Sequence, residues 1–404
     1  MVELRTRFRW IGRRFRLTAN DRGAAGVASR TRGSVLVIVM VTLLFATFAL
    51  LAFLEKAAVD LLVDQREAVT RRLRMEAYSA LETTLAVLED FREVGNGLRS
   101  PAEGWGDPLA FVGYEPSEGR TVEIAFEDES GKLSLPRVNA QILTNLFLHW
   151  GILQSEAEAL ADAMLGWMKR DHIYASAVVP TYDQGVIPFE VPGRPLRSYH
   201  ELAAIGKVRE TFYDADGRPN EFWKRFVASV SLLQFQRPNI NGAKADTLAA
   251  LGQFDETQQR TISEYLNGGG SYLSKGPGFF QNPTDAQQIA GPTGDAGAFS
   301  TTISALRIFV TVRDGRTEFR LAAVVAPPNG ATTVQATATS TRTETSASSA
   351  QTAAQQQNRP NAGQAATTPT PNQNQASGNL RYPYTLLEIR ENEEIPPPPN
   401  LIAP

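Results

Sequence analysis

Residues 30–54 read Arg30-Thr-Arg-Gly33-Ser34-Val-Leu-Val-Ile-Val-Met-Val-Thr-Leu-Leu-Phe-Ala-Thr-Phe-Ala-Leu-Leu-Ala-Phe-Leu54, and the rest of the chain is read outward from them. Ser34 to Leu54 is 21 residues without a charge, a proline or a glycine. At about 1.5 Å per residue that length matches a hydrocarbon core of roughly 30 Å. Being apolar on every face, the stretch reads as one transmembrane helix rather than a buried core helix. Nine arginines precede it in residues 1–33, against Glu3 and Asp21. By the positive-inside rule the N-terminus is expected in the cytoplasm and the bulk of the chain on the other side of the membrane. A cleaved secretory signal would have an apolar region of about 7–15 residues ending in a small-residue site, whereas Ala52-Phe-Leu-Glu55 runs on as helix.

The 404 residues allow two or three domains. With 42% hydrophobic and 21% charged residues the average is globular, which excludes a wholly disordered or multi-span chain. No cysteine is present, so disulfides, thiolate metal sites and cysteine nucleophiles are excluded together. The net charge of −3 conceals a leader of about +7 and a remainder of about −10. An acidic body argues against nucleic acid as its partner.

The junction Arg30-Thr-Arg-Gly33/Ser34-Val-Leu-Val resembles the class III signal read by prepilin peptidases. That resemblance implies cleavage between Gly33 and Ser34, with the apolar helix kept on the mature protein. Beyond the membrane, Val69, Leu73, Ala77, Leu81 and Leu85, with Ala80, Thr84 and Leu88, recur every four residues between polar positions such as Arg71, Arg72, Glu76 and Glu82. This spacing predicts that an amphipathic helix continues to the breakers Gly95-Asn-Gly97 and Pro101.

Thr121 to Glu127 alternates as a half-buried strand, and a turn at Gly131 predicts a second short strand, Lys132–Leu135, closing a hairpin. Far downstream, Leu306–Arg313, Asp314-Gly315 and Arg316–Val325 read as two long strands around an Asp-Gly turn. Strands must pair to satisfy their edges, so the early and late strands are expected in one antiparallel sheet, with a mostly helical insertion between them. The insertion holds two similar units. Asn139 precedes helix-like Gln141–Trp150, then Gly151 and Ser155–Met168, with Ser155 and Glu158 as a capping box. Asn239 precedes Ala245–Leu251, then Gly252 and Glu256–Leu266. A helix-hairpin-helix module binding nucleic acid would want Lys or Arg beside the glycine. Here the neighbours are Trp150-Gly151-Ile152 and Leu251-Gly252-Gln253-Phe254, so a SAM-like packing unit is expected and no nucleic-acid partner.

The leader, the long helix, Gly131-Lys-Leu-Ser-Leu135, Leu160-Ala-Asp-Ala-Met-Leu-Gly-Trp167, Pro195-Leu-Arg-Ser-Tyr-His-Glu-Leu202, Pro238-Asn-Ile-Asn-Gly-Ala-Lys-Ala-Asp-Thr-Leu-Ala-Ala-Leu251 and the final hairpin follow in the order of the K-class minor pseudopilins of type II secretion. The resemblance covers about residues 30–326. It implies an α+β fold: a pilin-like long N-terminal helix packed on an antiparallel sheet, an inserted α-helical domain, and a disordered C-terminal region. It also implies a non-enzymatic role in protein secretion at the pseudopilus tip, anchored in the inner membrane with the bulk of the chain in the periplasm, and with the I- and J-class minor pseudopilins and a prepilin peptidase as partners. The expected parts are a basic leader at 1–33, a transmembrane helix at 34–54, the pilin-like domain at 55–135 and 301–328, the helical insertion with its Gly-rich loop at 136–300, a disordered low-complexity linker at 329–379 and a tail at 380–404. Pilin-like subunits usually carry Glu at the fifth mature position, where it neutralises a neighbour's N-terminal ammonium inside the membrane. Counting from Ser34, that position is Ile38, and K-class proteins characteristically lack the Glu.

The family often holds a calcium site in the loop between its helical units, but Asp171 and Asp183 are too few oxygen ligands, and no metal or cofactor is expected. His149, His172 and His200 lie far apart in sequence, and neither H-E-x-x-H nor G-x-S-x-G occurs. The glycines of residues 267–300 are read as a loop region, and Asp214 and Asp216 as turn formers with Gly217. Tyr384–Arg390 has two readings, a strand returning to the sheet or an unattached tail, with Pro396–Pro399 trailing in polyproline II. Two other readings of the whole remain: a signal-anchored periplasmic scaffold protein, and a DNA-binding competence-type pilin.

Overall fold

A computed structural model describes residues 32–117, 119–176, 182, 190–292, 294–334 and 383–392. The leader to residue 31, Asp183, the low-complexity stretch from 335 and Pro396–Pro399 lie outside them. The chain divides into two units, one ending at Ala68 and one beginning at Val69.

In the first unit the described residues all belong to helix α1 (Arg32–Gly95). No proline or glycine interrupts Ser34–Leu54, and the large apolar side chains from Val35 to Leu54 are exposed in this unit. The helix is long and apolar enough to cross a membrane.

The second unit starts with the amphipathic part of α1. Leu73, Ala77, Ala80, Leu81, Leu85 and Leu88 are buried, as the four-residue spacing predicts. Thr84 lies in the same stripe and satisfies its hydroxyl on the Ala80 carbonyl at 2.8 Å. A short helix α2 (Pro108–Phe111) follows, then β1 (Arg120–Asp128) and β2 (Leu133–Ser134). Next come α3 (Ala140–His149), α4 (Gln154–Met168), α5 (Gly206–Phe212), α6 (Glu221–Ser229), β3 (Val230–Ser231), α7 (Ala245–Leu251), α8 (Glu256–Asn267) and α9 (Asp285–Ala290). The chain then forms β4 (Leu306–Asp314), β5 (Thr317–Ala326) and β6 (Thr385–Glu391).

The main sheet runs β1-β4-β5-β6, antiparallel throughout, with Ile124 opposite Val310 and Val310 opposite Leu321. Period-two alternation sends Ile308, Val310, Val312, Phe319, Leu321, Ala323 and Val325 into one core with the buried stripe of α1. Gly315, at φ +58°, takes the first place of the two-residue β4–β5 turn, where such a hairpin calls for glycine. Everything from β2 to α9 lies between two adjacent strands of this sheet, so the helical region is an insertion. It has its own cores, one around Leu143, Phe147, Leu160, Met164, Phe212 and Phe226, another around Ile240, Leu248, Phe254, Ile262, Phe280 and Phe299.

Three expectations change and one open reading is decided. The early hairpin does not form: β1 takes nine partners on β4, a 3-10 turn at Glu129–Gly131 then carries the chain off the sheet, and Leu133–Ser134 pairs in parallel with Val230–Ser231. β1 is the edge strand of its sheet with β4 as its one partner, so it is the exit of the chain at the 3-10 turn, and not a contest for β1, that takes Leu133–Ser134 to β3. The Ser155–Glu158 capping box is absent because α4 begins at Gln154 after Leu153, which puts Ser155 already inside the first turn. In the two similar units the caps are instead Asn139, whose Oδ1 accepts from the Ile142 N–H at 2.9 Å, and a capping box of Asp255 with Gln258. The segment after Asn267 is more than loop, since it contains α9 and buries Phe280, Ala286 and Phe299. Finally, of the two readings of the tail, Tyr384–Arg390 is the strand. Tyr384 enters the sheet core, and Glu391 accepts from Tyr78 Oη at 2.6 Å and lies 2.8 Å from Arg74 Nη2.

Candidate functional site

Gly33 and Ser34 fall within the first turn of α1, where backbone N–H groups have no intrahelical partner. The helix thus begins one residue ahead of the glycine. Ile38 is exposed on the same helix. The histidines have separate surroundings. His149 ends α3 with Nε2 3.4 Å from Asp246 Oδ1, His172 holds Asp162, and His200 is exposed. Asp171 is exposed too, and among the described residues no group of three or more His, Asp or Glu side chains could hold a metal ion. Asp214 forms the expected turn: its Oδ1 accepts the N–H groups of Asp216 and Arg218 at 3.0 and 2.8 Å, and Gly217 has φ +75°.

The densest chemistry lies where the insertion joins the sheet, and it brings together two segments that are a hundred residues apart in sequence. Asp128 ends β1. Its Oδ1 accepts from Ser130 N at 2.8 Å and Ser130 Oγ at 2.6 Å, and its Oδ2 from Asn239 Nδ2 at 2.7 Å. Asn239 also donates to the Arg99 carbonyl at 3.0 Å, and its N–H reaches the Ser130 carbonyl at 2.7 Å. Side chains at Gly131 and Gly242 are excluded by this approach. A Cβ on Gly131 would stand 2.2 Å from the Gly242 carbonyl oxygen, and one on Gly242 would stand 2.2 Å from Asp128 Oδ2. Burial pushes Asp128 up to about 7 despite the donated hydrogen bonds.

Beside it, Glu129 is 2% exposed. Its Oε1 lies 3.1 Å from Lys132 Nζ and 2.7 Å from Arg307 Nη2. Burial opposes the charge on Glu129, but these two cations outweigh it and hold the carboxyl below its usual range. Lys132 also meets Glu127 at 3.1 Å, and Arg307 meets Glu388 of β6 at 3.7 Å. A buried ion cluster of this kind is a poor source of net stability but a strict one for geometry, since removing one member strands another.

Sequence reading missed a second cluster. Asp162, buried on α4, accepts from the Ser176 N–H at 2.6 Å and lies 2.8 Å from His172 Nε2. Burial disfavours its charge, yet the Ser176 and His172 hydrogen bonds prevail and lower its pKa. One turn on, Gly166 leaves room for Tyr174, whose hydroxyl would be 2.1 Å from a Cβ there. The available signal was an acid and a glycine at i and i+4 in the otherwise apolar second half of α4, residues 159–168. A third junction ties α3, α6 and α7: Asp246 binds Arg225 Nη2 at 2.9 Å and Ser229 Oγ at 2.8 Å, and Arg225 lies over the Trp150 ring at 5.1 Å. In each cluster the acids are engaged by donors of this chain, so what the arrangement does chemically is to fix elements against one another.

The fold is similar to a chain of the solved GspK–GspI–GspJ complex from the Type 2 Secretion System of enterotoxigenic Escherichia coli, at 14% identity and a TM-score of 0.46, covering 67% of this chain and 97% of that one. No family model and no curated protein matches the chain.

Proposed function

We propose that this chain is a minor pseudopilin of the K class, a non-enzymatic subunit that caps the pseudopilus of a type II secretion system and supports protein secretion. The observation that carries the reading is the order of parts. An apolar helix behind a basic leader continues as the amphipathic helix of a four-stranded antiparallel sheet, and a helical region is inserted between two neighbouring strands of that sheet. The leader charge supports a cytoplasmic position for residues 1–33, and with it a periplasmic one for the body on this reading. A prepilin peptidase would cut between Gly33 and Ser34, and the partners would be the I- and J-class minor pseudopilins. On this reading the pilin-like domain comprises residues 55–128, 301–326 and the returning strand Thr385–Glu391 rather than 55–135 and 301–328, and the insertion begins at the 129–131 turn and runs to about residue 300.

Ile38 supports the tip position. A subunit with none above it has no neighbouring ammonium to neutralise, so a carboxylate at residue 38 would be an unpaired charge in hydrocarbon, costing about 2.5–3.5 kcal/mol. Mass spectrometry of the mature N-terminus should give Ser34 as first residue. Ile38→Glu should reduce secretion, and cross-linking should find the subunit bound to pilin-like proteins on one side only. A terminus other than Ser34, better assembly of the Glu variant, or partners on both sides would overturn the assignment.

A further inference from the structure

Where α1 ends, a patch of apolar side chains faces solvent. Val94 is 91% exposed, Phe111 60% and Val112 49%. Phe91 lies one turn before Val94 on α1, and its ring meets Phe111 of α2 edge to face, with centroids 5.3 Å apart. The two helices therefore contribute to one surface. Exposed aromatic and branched side chains grouped in this way mark an interaction site more often than chance exposure does.

The exposed charge of the two segments that carry the patch has one sign. Between Ala86 and Ser117 the exposed charged residues are Asp90, Glu93, Asp107 and Glu115, all acidic. The two cations of that stretch are already engaged: Arg92 pairs with Glu89 at 2.5 Å and Arg99 with Glu103 at 3.1 Å. Asp107 caps α2, its Oδ1 accepting from the Ala110 N–H at 3.1 Å, so it is held at the edge of the surface that carries Phe111.

We propose that Phe91, Val94, Phe111 and Val112 form a docking surface for a segment of another protein that presents an apolar side chain between basic residues. Apolar contact would supply affinity, and the rim of Asp90, Glu93 and Asp107 would select the cationic flanks and reject acidic ones. A second copy of this chain fits poorly, because the same acidic rim would face itself. The proposal does not depend on the secretion reading.

The test places photoreactive p-benzoylphenylalanine at Phe111 of the full chain in its native membrane and identifies the cross-linked peptide by mass spectrometry. The expected adduct is a segment with a large apolar residue flanked by Lys or Arg. Its yield should fall at least about tenfold in the Asp90→Lys/Glu93→Lys variant, and several-fold between 0.1 and 1 M salt, as the screening length shrinks from about 10 to about 3 Å. These positions are exposed, so the variant should melt with the parent. If it does not, Asp90→Asn/Glu93→Gln should still lower the yield several-fold. An adduct to lipid, to a second copy of the chain or to a segment without basic flanks would overturn the proposal. So would the absence of any adduct, or a yield indifferent to both charge variants.

Discussion

Replacing Gly131 with Ala tests whether the joint between insertion and sheet is as tight as the geometry requires. Neither Gly131 nor Gly242 has a positive φ, so backbone strain is not the issue. The new Cβ on Gly131 would sit 2.2 Å from the Gly242 carbonyl oxygen and 2.4 Å from its carbon, both backbone atoms that cannot swing aside like a side chain. Relief requires the 240–242 turn to retreat by about 1 Å, since ordinary carbon–oxygen contacts lie beyond 3 Å. That retreat would stretch the Asn239 N–H bond to Ser130 and the Asn239 Nδ2 bond to Asp128, both 2.7 Å. Overpacking costs about 1–3 kcal/mol, and weakening the two buried hydrogen bonds adds about 0.5–1.5 each. Part of both is recovered by relaxation, so we expect a loss of about 3 kcal/mol, or roughly 6–12 °C in Tm for a unit of this size. Thermal unfolding of the full chain in detergent is the assay, followed by tryptophan fluorescence. Gly206→Ala is the control. It opens α5, has nothing within 4 Å of the added methyl, and should be neutral or gain up to about 1 kcal/mol. If Gly131→Ala melts within 1 °C of the parent, or Gly206→Ala is equally damaging, the packing argument fails.

Asp128 has a second consequence. With its folded pKa raised to about 7, the native state binds a proton that the unfolded state releases near pH 4. Stability should therefore decline as pH rises from about 4 to 7, by an amount on the order of 4 kcal/mol at most, and Asp128→Asn should flatten that slope in urea titrations. Glu129 works in the opposite sense, because its pKa is lowered in the fold: its contribution is present above the usual glutamate range and lost on acidification, so Glu129→Gln should remove part of the acid-side loss. Asp162→Ala should cost about 2–3 kcal/mol by stranding the Ser176 N–H and the His172 ring, readable as faster amide exchange in residues 169–176. Tyr384→Ala should remove the anchor of β6 from the sheet core at about 2–4 kcal/mol and make the chain cleavable near residue 384 under limited proteolysis that spares the parent.

What the sequence by itself determined was everything governed by short-range periodicity. The apolar run from Ser34, the four-residue stripe from Val69 to Leu88 and the Asp314-Gly315 hairpin depend on neighbours within a turn or a pleat, and they stand in the structure where the residues put them. The expectation that early and late strands share a sheet also held for β1, because an edge of nine alternating residues needs a partner. Tertiary structure alone decided the rest. Which strand Leu133–Ser134 would join depended on where the turn at Glu129–Gly131 sends the chain and on Val230–Ser231, about a hundred residues on, lying beside it there, neither of which a local pattern shows. Whether Tyr384–Arg390 would return to the sheet turned on a buried pocket for Tyr384 and on Arg74 and Tyr78, some three hundred residues away. The joint itself, Asp128 with Asn239 and Gly131 against Gly242, was present in the sequence as two separate motifs. A buried carboxyl and two bare backbones have meaning only once the chain has folded them to within hydrogen-bonding distance, where desolvation and close packing, both absent from the extended chain, set their energies.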